Sequence, residues 1–496
     1  MSEIFYKSTR GDNNVFSAAQ AIAKGIAEDG GLFVPTEMPR LEKSIEDLIN
    51  LDYRELAYEI LSLFLTDFTE EELKYCINSA YDEKFDTSVV APVVKAQDNY
   101  FLELFHGPTL AFKDMALTIL PYLLKTAAKK LDIDQDIVIL TATSGDTGKA
   151  ALEGFANIDG VKIIVYFPQN GVSEVQKKQM VTQEGANTYV VGIEGNFDDA
   201  QSGVKNIFAD DSFNAKLRDK GFMFSSANSI NIGRLVPQVV YYFYAYTQMC
   251  KSGEIKVGDK INFVVPTGNF GNILAGYYAK ELGLPVGKLI CASNENKVLY
   301  DFMSTGTYDK MRDFLLTMSP SMDILISSNL ERLLYTLCGK DTTTVKDLMD
   351  NLNSKGIYNI TEDMKKGLED FVGGYATEEV TAKSIKDVFE TTGYLMDTHT
   401  AVAYSVLKEY KDNSGDNRKT VIVSTASPYK FTANVMKAID SKFGEVDEFE
   451  LMTEMEKLSG VTIPEPIKDL DKKPILHKTI CSKHEMKDQV EKILGV

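Results

Sequence analysis

Long apolar runs and paired cysteines are both missing from this sequence. No stretch reaches the roughly 18 apolar residues that a membrane-spanning helix needs, and residues 1–11 lack the apolar core of a signal peptide. The five cysteines are an odd number and lie far apart, with no CxxC pair and no histidine at metal-ligand spacing. We therefore expect a cytoplasmic protein with free thiols, and neither a disulfide scaffold nor a metal site.

Positive charge is also in short supply. The chain has 53 lysines and arginines against 72 aspartates and glutamates, which gives a net charge of −19. A field of this sign repels phosphate backbones and anionic lipid headgroups, so we expect no nucleic-acid and no membrane partner. A local basic pocket for one small anion remains compatible with it. The 496 residues, 44% of them apolar and 25% charged, are typical of a soluble globular protein with two or three domains.

Hydrophobic periodicity divides the chain into four predicted regions. Residues 1–95 carry helical patterns, such as the one over 51–68, and predict a mainly helical amino-terminal domain. Residues 96–260 and 261–440 alternate short β-branched runs with helical stretches, which is typical of parallel sheets covered on both faces. The charged, proline-containing tail at 441–496 is predicted to be a separate carboxy-terminal segment.

The predicted strands of these sheets are continuous apolar runs bounded by polar residues. They lie at 137–140, 161–166, 188–193, 261–265, 288–292 and 420–423. Ser173 and Gln176 have the spacing of a capping box and predict a helix that begins after Ser173.

The connection LTATSGDTG at 140–148 follows a predicted strand, where ligands bind in open α/β sheets. Gly145 and Gly148 allow the backbone to approach a ligand, and the following helix start offers N–H groups to an anion. A glycine-rich turn capped by Ser144 or Thr147 would explain the same residues. The loop by itself therefore leaves both interpretations open.

The connection VVPTGNFGN at 264–272 also leads from a predicted strand into a predicted helix. Its two glycines, together with Asn272 as a helix cap, predict a nest of N–H donors suited to a cofactor phosphate. Neither a Walker GK[ST] nor a GxGxxG pattern is present, so a nucleotide fingerprint is not indicated. A tight structural connection is the alternative.

The third segment, LFHGPTLAFKD at 104–114, places Lys113 in an apolar stretch at a predicted helix start. Desolvation lowers the pKa of a lysine in such a place, so that its neutral amine can act as a nucleophile or base. A solvated surface lysine is the ordinary alternative, and the segment alone does not distinguish the two.

The order of several blocks along the chain resembles the threonine synthase family. The blocks are FHGPTLAFKD at 105–114, SGDTG at 144–148, SANSINIGR at 226–234, GNFGN at 268–272 and STASP at 424–428. YKSTRG at 6–11 also fits the family's amino-terminal domain, and the resemblance extends to about residue 440. It implies the tryptophan synthase β-like fold of pyridoxal-phosphate enzymes, with two doubly wound parallel-sheet domains and a helical amino-terminal domain.

The resemblance also implies roles for individual residues. Lys113 would form the Schiff base with pyridoxal 5'-phosphate, Thr425 would face the pyridine nitrogen, and Asp146 would lie beside the ring oxygen and the imine. The cofactor phosphate would be held by Gly268, Asn269, Phe270, Gly271 and Asn272. The substrate carboxylate would be held by Ser144, Gly145, Thr147 and Gly148. The substrate phosphate would be held by Asn228, Ser229, Asn231 and Arg234.

The implied activity is that of a pyridoxal-phosphate-dependent carbon–oxygen lyase of threonine biosynthesis. It would convert O-phospho-L-homoserine and water into L-threonine and phosphate by β,γ-elimination and replacement, in a monomer or a dimer. One segment departs from the family: many members have lysines where this chain has Gln169, Asn170 and Gly171. His399 is expected to begin a helix and line the cleft. Two alternatives remain open, namely a β-eliminating lyase acting on a phosphorylated or hydroxylated amino acid and a non-catalytic protein on the same scaffold.

Overall fold

Two mainly parallel sheets form the framework of the protein in a computed structural model that describes residues 3–12, 14–143, 145–170 and 172–496. The strands are β1 (Tyr6–Ser8), β2 (Phe33–Pro35), β3 (Val93–Ala96), β4 (Asn99–Glu103), β5 (Asp136–Ala142), β6 (Val161–Pro168), β7 (Thr188–Glu194), β8 (Phe222–Ser225), β9 (Ile261–Pro266), β10 (Val286–Ser293), β11 (Thr307–Asp309), β12 (Ile357–Asn359), β13 (Phe371–Tyr375), β14 (Thr420–Ser424) and β15 (Thr479–Ser482).

Helices surround both sheets. They are α1 (Ala18–Lys24), α2 (Ile45–Leu48), α3 (Tyr53–Phe64), α4 (Glu70–Ala80), α5 (Asp114–Leu117), α6 (Leu120–Lys130), α7 (Asp146–Phe155), α8 (Glu174–Val181), α9 (Phe197–Phe208), α10 (Asp211–Asp219), α11 (Ile232–Leu235), α12 (Pro237–Lys251), α13 (Gly271–Glu281), α14 (Val298–Thr305), α15 (Leu330–Leu337), α16 (Thr342–Lys355), α17 (Glu362–Lys366), α18 (Glu378–Thr392), α19 (Thr398–Ser414), α20 (Thr432–Ile439), α21 (Glu448–Ser459) and α22 (Met486–Leu494). None of the helices in the described part of the chain is long and apolar enough to cross a membrane.

The larger sheet has the strand order β13-β10-β9-β14-β4-β3 among the described residues, and every neighbouring pair is parallel except β3 with β4. Its alternate side chains enter two separate cores. Phe263 and Val265 belong to the core that contains α12 and α13, while Val264 and Ile422 belong to the core that contains α19. Because both faces are covered, the strands read as continuous apolar runs.

The smaller sheet has the order β15-β7-β6-β5-β8 and is parallel at every described pair. Ile137 and Ile163 face the main core, while Val138 and Ile164 face a second core that includes α9 and α22. The predicted fold class is therefore confirmed, with helices on both faces of two parallel sheets. The six predicted strands are also confirmed, and the helix after Ser173 begins with the predicted capping box.

Sheet membership differs from the linear division of the chain. β3 and β4 share the larger sheet with strands from 261–440, because Tyr100 pairs with Val421. The tail contributes β15, which pairs with β7 through Cys481 and Ile193. Local patterns identify a strand but carry no information about its partner, so these two long-range pairings were not visible in the sequence.

Parallel pairing sets the position of the candidate site. β4, β9 and β14 run in one direction, so their carboxyl ends meet at one edge of the larger sheet. The loops that follow them contain Lys113, the 268–272 segment and Thr425, respectively. The loop after β5 leads to the same edge of the larger sheet, as the contact between Asp146 and Lys113 shows.

Candidate active site

Lys113 is held by backbone pairing between two loops. The Phe112 N–H donates to the carbonyl of Thr425 at 2.8 Å, and the Ser427 N–H donates to the carbonyl of Leu110 at 3.0 Å. Lys113 is the residue immediately before α5, one position earlier than the predicted first turn. Its side chain is 12% exposed, which places the amine inside the cleft with a narrow opening to solvent.

The Lys113 amine has two polar neighbours. Its Nζ lies 3.4 Å from Oδ2 of Asp146 and 3.3 Å from Oγ of Ser321. Burial lowers the pKa of Lys113, Asp146 opposes this shift, and the charges of Lys430 and Arg234 lower the pKa further. The net direction is downward, so the amine is easier to deprotonate than an ordinary lysine, as the sequence predicts.

Asp146 is the first residue of α7 and is surrounded by donors. Its Oδ1 accepts from Gln176 Nε2 at 2.9 Å and pairs with Lys430 Nζ at 3.0 Å, while Oδ2 accepts from Ser321 Oγ at 2.9 Å. Burial would raise the pKa of Asp146, but Lys430 and Lys113 outweigh it and hold that pKa well below its ordinary value. The carboxylate is therefore ionised at neutral pH.

Lys430 is a second buried lysine, and sequence reasoning missed it. It is fully buried in the 3-10 turn Pro428–Phe431 and donates to the carbonyl of Thr109 at 2.9 Å. The signal that could have found it is a lone lysine between two aromatic residues, Tyr429 and Phe431, just after the STASP block.

A segment from the middle of the chain also enters the site. The Ser321 N–H donates to Nε2 of His399 at 3.1 Å, and Nδ1 of His399 lies 2.7 Å from Oδ2 of Asp397. Because a backbone N–H only donates, Nε2 is the acceptor and Nδ1 carries the proton. His399 lies at the start of α19, as predicted, and holds Ser321 rather than contacting Lys113.

The 268–272 loop leaves its N–H groups without partners among the described residues, while its first two carbonyls are bonded. Gly268 and Asn269 direct their carbonyls away, to Ser327 Oγ at 2.7 Å and to the Asn329 N–H at 3.0 Å. The five N–H groups from Gly268 to Asn272 find no acceptor among the described residues. Phe270 has a φ of +65° and immediately precedes α13, an arrangement of the kind that forms anion-binding nests.

The surroundings of Gly268 and Asn272 constrain both positions of this loop. A Cβ on Gly268 would lie 2.7 Å from the carbonyl oxygen of Ser321, so only glycine fits. Asn272 does not cap α13 as predicted, because the helix begins one residue earlier. Its Oδ1 instead accepts from Tyr241 and Tyr242 at 2.7 and 2.8 Å, and its buried Nδ2 has no partner among the described residues. The donor-only lining fits a phosphate group.

The loop before α7 is partly occupied by its own side chain. Thr143 Oγ1 accepts from the N–H groups of Gly145 and Gly148, both at 2.9 Å. Thr147 keeps an N–H group without a partner in the described residues. Ser144 lies outside the described residues. The predicted carboxylate site thus has fewer free backbone donors than the sequence suggested, because Thr143 uses two of them.

Arg234 is a buried guanidinium that has no counter-ion among the described residues. It is 3% exposed, and its Nη1 donates to the carbonyl of Ala227 at 2.9 Å. Its Nε has no hydrogen-bond partner, and no carboxylate of the described residues forms an ion pair with it. Burial lowers the pKa of Arg234 to about 10, so the group still carries its charge at neutral pH.

The neighbouring predicted contacts divide into two kinds. Asn231 caps α11, and its Nδ2 donates to the carbonyls of Ile22 and Ser226 at 3.0 and 3.1 Å. Both N–H groups of its amide are thus used within the protein, and its contact with a substrate phosphate stays a prediction. Asn228 and Ser229 are half-buried and make only long side-chain contacts of 3.5 Å. Their donors are free to turn toward a ligand.

Thr425 is buried beside the Lys113 loop. Its carbonyl accepts the Phe112 N–H, and its hydroxyl makes no hydrogen bond to any residue in the described ranges. The structure therefore brings together Lys113, Asp146, Thr425, the 268–272 nest and Arg234. Asn231 caps α11 and bonds to the carbonyl of Ile22.

Comparisons with known proteins identify the family of this chain. A family model for the threonine synthase N terminus matches residues 5–81, one for pyridoxal-phosphate dependent enzymes matches residues 89–426, and one for the threonine synthase C-terminal region matches residues 400–480. Threonine synthase of Pseudomonas aeruginosa is 40% identical over 438 residues, which cover 87% of this chain and 90% of that protein.

Two further similarities are to a longer protein and to a solved structure. Threonine synthase-like 1 of Homo sapiens is 41% identical over 444 residues, and the match covers 87% of this chain but 58% of that protein. This chain thus spans little more than half the length of that relative. The crystal structure of PLP-bound threonine synthase from Brucella melitensis has a TM-score of 0.86 and 35% identity, with 99% of each chain covered. The chain belongs to the threonine synthase family of pyridoxal-phosphate-dependent enzymes.

Proposed function

We propose that the protein converts O-phospho-L-homoserine and water into L-threonine and phosphate. The observation that carries this proposal is a pair of separate anion sites beside one reactive lysine. The 268–272 nest and the Arg234 guanidinium both offer donors without partners among the described residues. Lys113 lies close enough to Arg234 for that charge to lower its pKa. A reaction whose cofactor and substrate each carry a phosphate needs two such sites.

The residues of the cleft fit pyridoxal 5'-phosphate. Lys113 would hold it covalently, and the N–H groups of 268–272 with Nδ2 of Asn272 would bind its phosphate. The Thr425 hydroxyl would pair with the pyridine nitrogen, since it has no partner among the described residues. When bound, the cofactor supplies an electron sink for charge that develops at the substrate α-carbon.

Proton movement falls to Lys113. The free amine of Lys113 has a lowered pKa, so once the substrate amine has released it from the cofactor it would take the proton from the substrate α-carbon. Asp146 remains ionised between Lys430 and Lys113 and does not serve as an acid. Few other titratable side chains line the cleft among the described residues, and the leaving phosphate itself assists the later proton transfer.

Substrate recognition rests on Arg234. Its planar guanidinium can make a bidentate contact with the substrate phosphate, and Asn228 and Ser229 add hydrogen bonds. The Thr147 N–H, together with Ser144, would receive the carboxylate, while the N–H groups of Gly145 and Gly148 stay bonded to Thr143 Oγ1. All of these groups come from one chain, so a monomer or a dimer can carry a complete site. The cysteines are free, which fits a reducing compartment such as the cytoplasm.

A substrate panel tests the proposal. The purified full chain with pyridoxal phosphate should form threonine and phosphate from O-phospho-L-homoserine in equal amounts. Formation of 2-oxobutyrate from threonine or phosphothreonine, without threonine from phosphohomoserine, would identify a β-eliminating lyase instead. Lack of turnover with every substrate in a protein that still binds the cofactor would identify a non-catalytic member of the family.

A further inference from the structure

Asp146 lies between two buried lysines, which differ in their distance from the carboxylate and in their exposure. Lys430 Nζ is 3.0 Å from Oδ1, while Lys113 Nζ is 3.4 Å from Oδ2. Lys430 is fully buried, whereas the Lys113 side chain keeps 12% exposure. The shorter contact therefore belongs to the lysine that a ligand cannot reach.

We propose that Lys430 is a positioning residue that neutralises Asp146 and so leaves the Lys113 amine free to react. This inference rests on the proposed function, in which Lys113 is the reactive amine. It goes beyond that function because Lys430 contacts neither cofactor nor substrate and acts through Asp146.

All three hydrogen-bond donors of the Lys430 ammonium group are used within the protein. An ammonium group has three donors, and those of Lys430 point to Thr109 O at 2.9 Å, to Gln179 Oε1 at 3.4 Å and to the Asp146 carboxylate. No donor remains for a phosphate. Lys430 therefore does not replace the cationic contacts that are absent at Gln169 and Asn170.

The Asp146 carboxylate is also oriented from both sides. Gln176 and Lys430 hold Oδ1, which turns Oδ2 toward Ser321 and Lys113. Without Lys430, Asp146 would be a buried carboxylate with Lys113 as its only cation among the described residues. A pair of that kind would hold Lys113 in its charged ammonium form, which is not a nucleophile.

Other charged groups around Lys113 set the conditions for a test. Arg234 from α11 favours loss of the Lys113 proton, and His399 faces the site only through Ser321. Asp114, the next residue, is buried and has its pKa raised by burial to about 6. Measurements above pH 7 therefore keep the charge of Asp114 constant.

The test measures the titration of Lys113 directly in the full chain freed of cofactor. Competitive acetylation at a series of pH values above 7, with exposed Lys366 as internal reference, gives the pH at which Lys113 becomes half reactive. For Lys430→Met this half-point should rise by about one to two pH units, because Asp146 then interacts with Lys113 alone. Lys149→Met should leave it unchanged, since buried Lys149 lies on α7 but pairs with Glu153.

A second variant keeps the proposal testable if Lys430→Met folds poorly. Lys430→Met with Asp146→Asn removes both charges, and its half-point should return to the parent value or lie below it. An unchanged half-point in folded Lys430→Met, or a raised one in the double variant, would overturn the proposal. Turnover of O-phospho-L-homoserine by the parent protein is measured separately. Its absence would refute the proposed activity without changing the conclusion about Lys430.

Discussion

Lys430 and Arg234 are both buried cations close to Lys113, yet they differ in what neutralises them. Lys430 has a carboxylate, a carbonyl and an amide oxygen as partners. Arg234 has one carbonyl and an Nε without a partner among the described residues. A buried charge without a counter-ion is costly, so a protein retains one where a ligand supplies the missing charge. This difference supports the proposals that Lys430 belongs to the protein's own framework and that Arg234 binds an anionic ligand.

The largest expected effect comes from the lysine between these two cations. Lys113→Ala should reduce turnover of O-phospho-L-homoserine on the order of a thousandfold or more, because both covalent attachment and proton transfer are lost. Turnover and cofactor content are measured on the same sample. Retention of cofactor through the 268–272 nest is compatible with this result, whereas retention of full turnover is not.

Removing the unpaired cation should affect one ligand selectively. Arg234→Met should weaken binding of phosphohomoserine by about ten to a hundredfold, the range for a lost charge-assisted contact. Spectral titration with unphosphorylated serine should change little. Gln169→Ala is the matched control and should leave both affinities nearly unchanged. If Arg234 only supports α12, both ligands would lose affinity together and the thermal midpoint would fall.

The uncharged hydroxyl of Thr425 can be tested separately from the charged groups of the site. Thr425→Val keeps the volume and removes the hydroxyl that would pair with the pyridine nitrogen. Cofactor affinity should fall by about 1 to 2 kcal/mol, the cost of leaving one buried acceptor unpaired. Equilibrium titration with pyridoxal phosphate measures it. Equal affinity in the parent and the variant would remove Thr425 from the cofactor site.

His106 is a further cation, and it is paired with Asp86 and Glu103 outside the cleft. Burial would lower its pKa, but the hydrogen bonds that its ring donates to Asp86 and Glu103 outweigh burial and raise it from 6.5 to about 9. Because the folded value exceeds the unfolded one, this stabilisation is complete below pH 6.5 and is lost as pH rises through about 9.

His106→Gln should therefore lower the free energy of unfolding by about 1 kcal/mol at pH 6, with Asp86 partly screened by solvent. The difference from the parent should vanish near pH 10. Urea unfolding at several pH values measures it. A difference that grows with pH would contradict the assigned direction, and a loss of substrate affinity would place His106 inside the site.

Local signals were sufficient for part of the fold and part of the site. The strands at 137–140 and 261–265 were predicted because buried parallel strands are continuous apolar runs. The apolar neighbours of Lys113 and its predicted helix start made it a candidate, but its role was predicted only from the order of the blocks along the chain. β15 was missed because Ile480 is exposed at a sheet edge and its pairing with β7 is long-range.

The remaining site residues depend on tertiary packing. Ser321 lies in the short 3-10 turn Pro320–Met322, which has no periodic sequence pattern, and its contacts with His399 and Asp146 join distant parts of the chain. Asn231 has the same residue type as a ligand contact, but its amide is used to hold α11. The identity of a polar residue does not reveal whether its hydrogen bonds are already satisfied.

Reduction of the cofactor-loaded protein with borohydride, followed by peptide mapping, tests the account most directly. The site contains two buried lysines on either side of Asp146, and the account assigns covalent chemistry to only one of them. The pyridoxyl label should lie on the peptide that contains Lys113, in a sample that also forms threonine from O-phospho-L-homoserine. A label on Lys430, or on any lysine other than Lys113, would contradict the account.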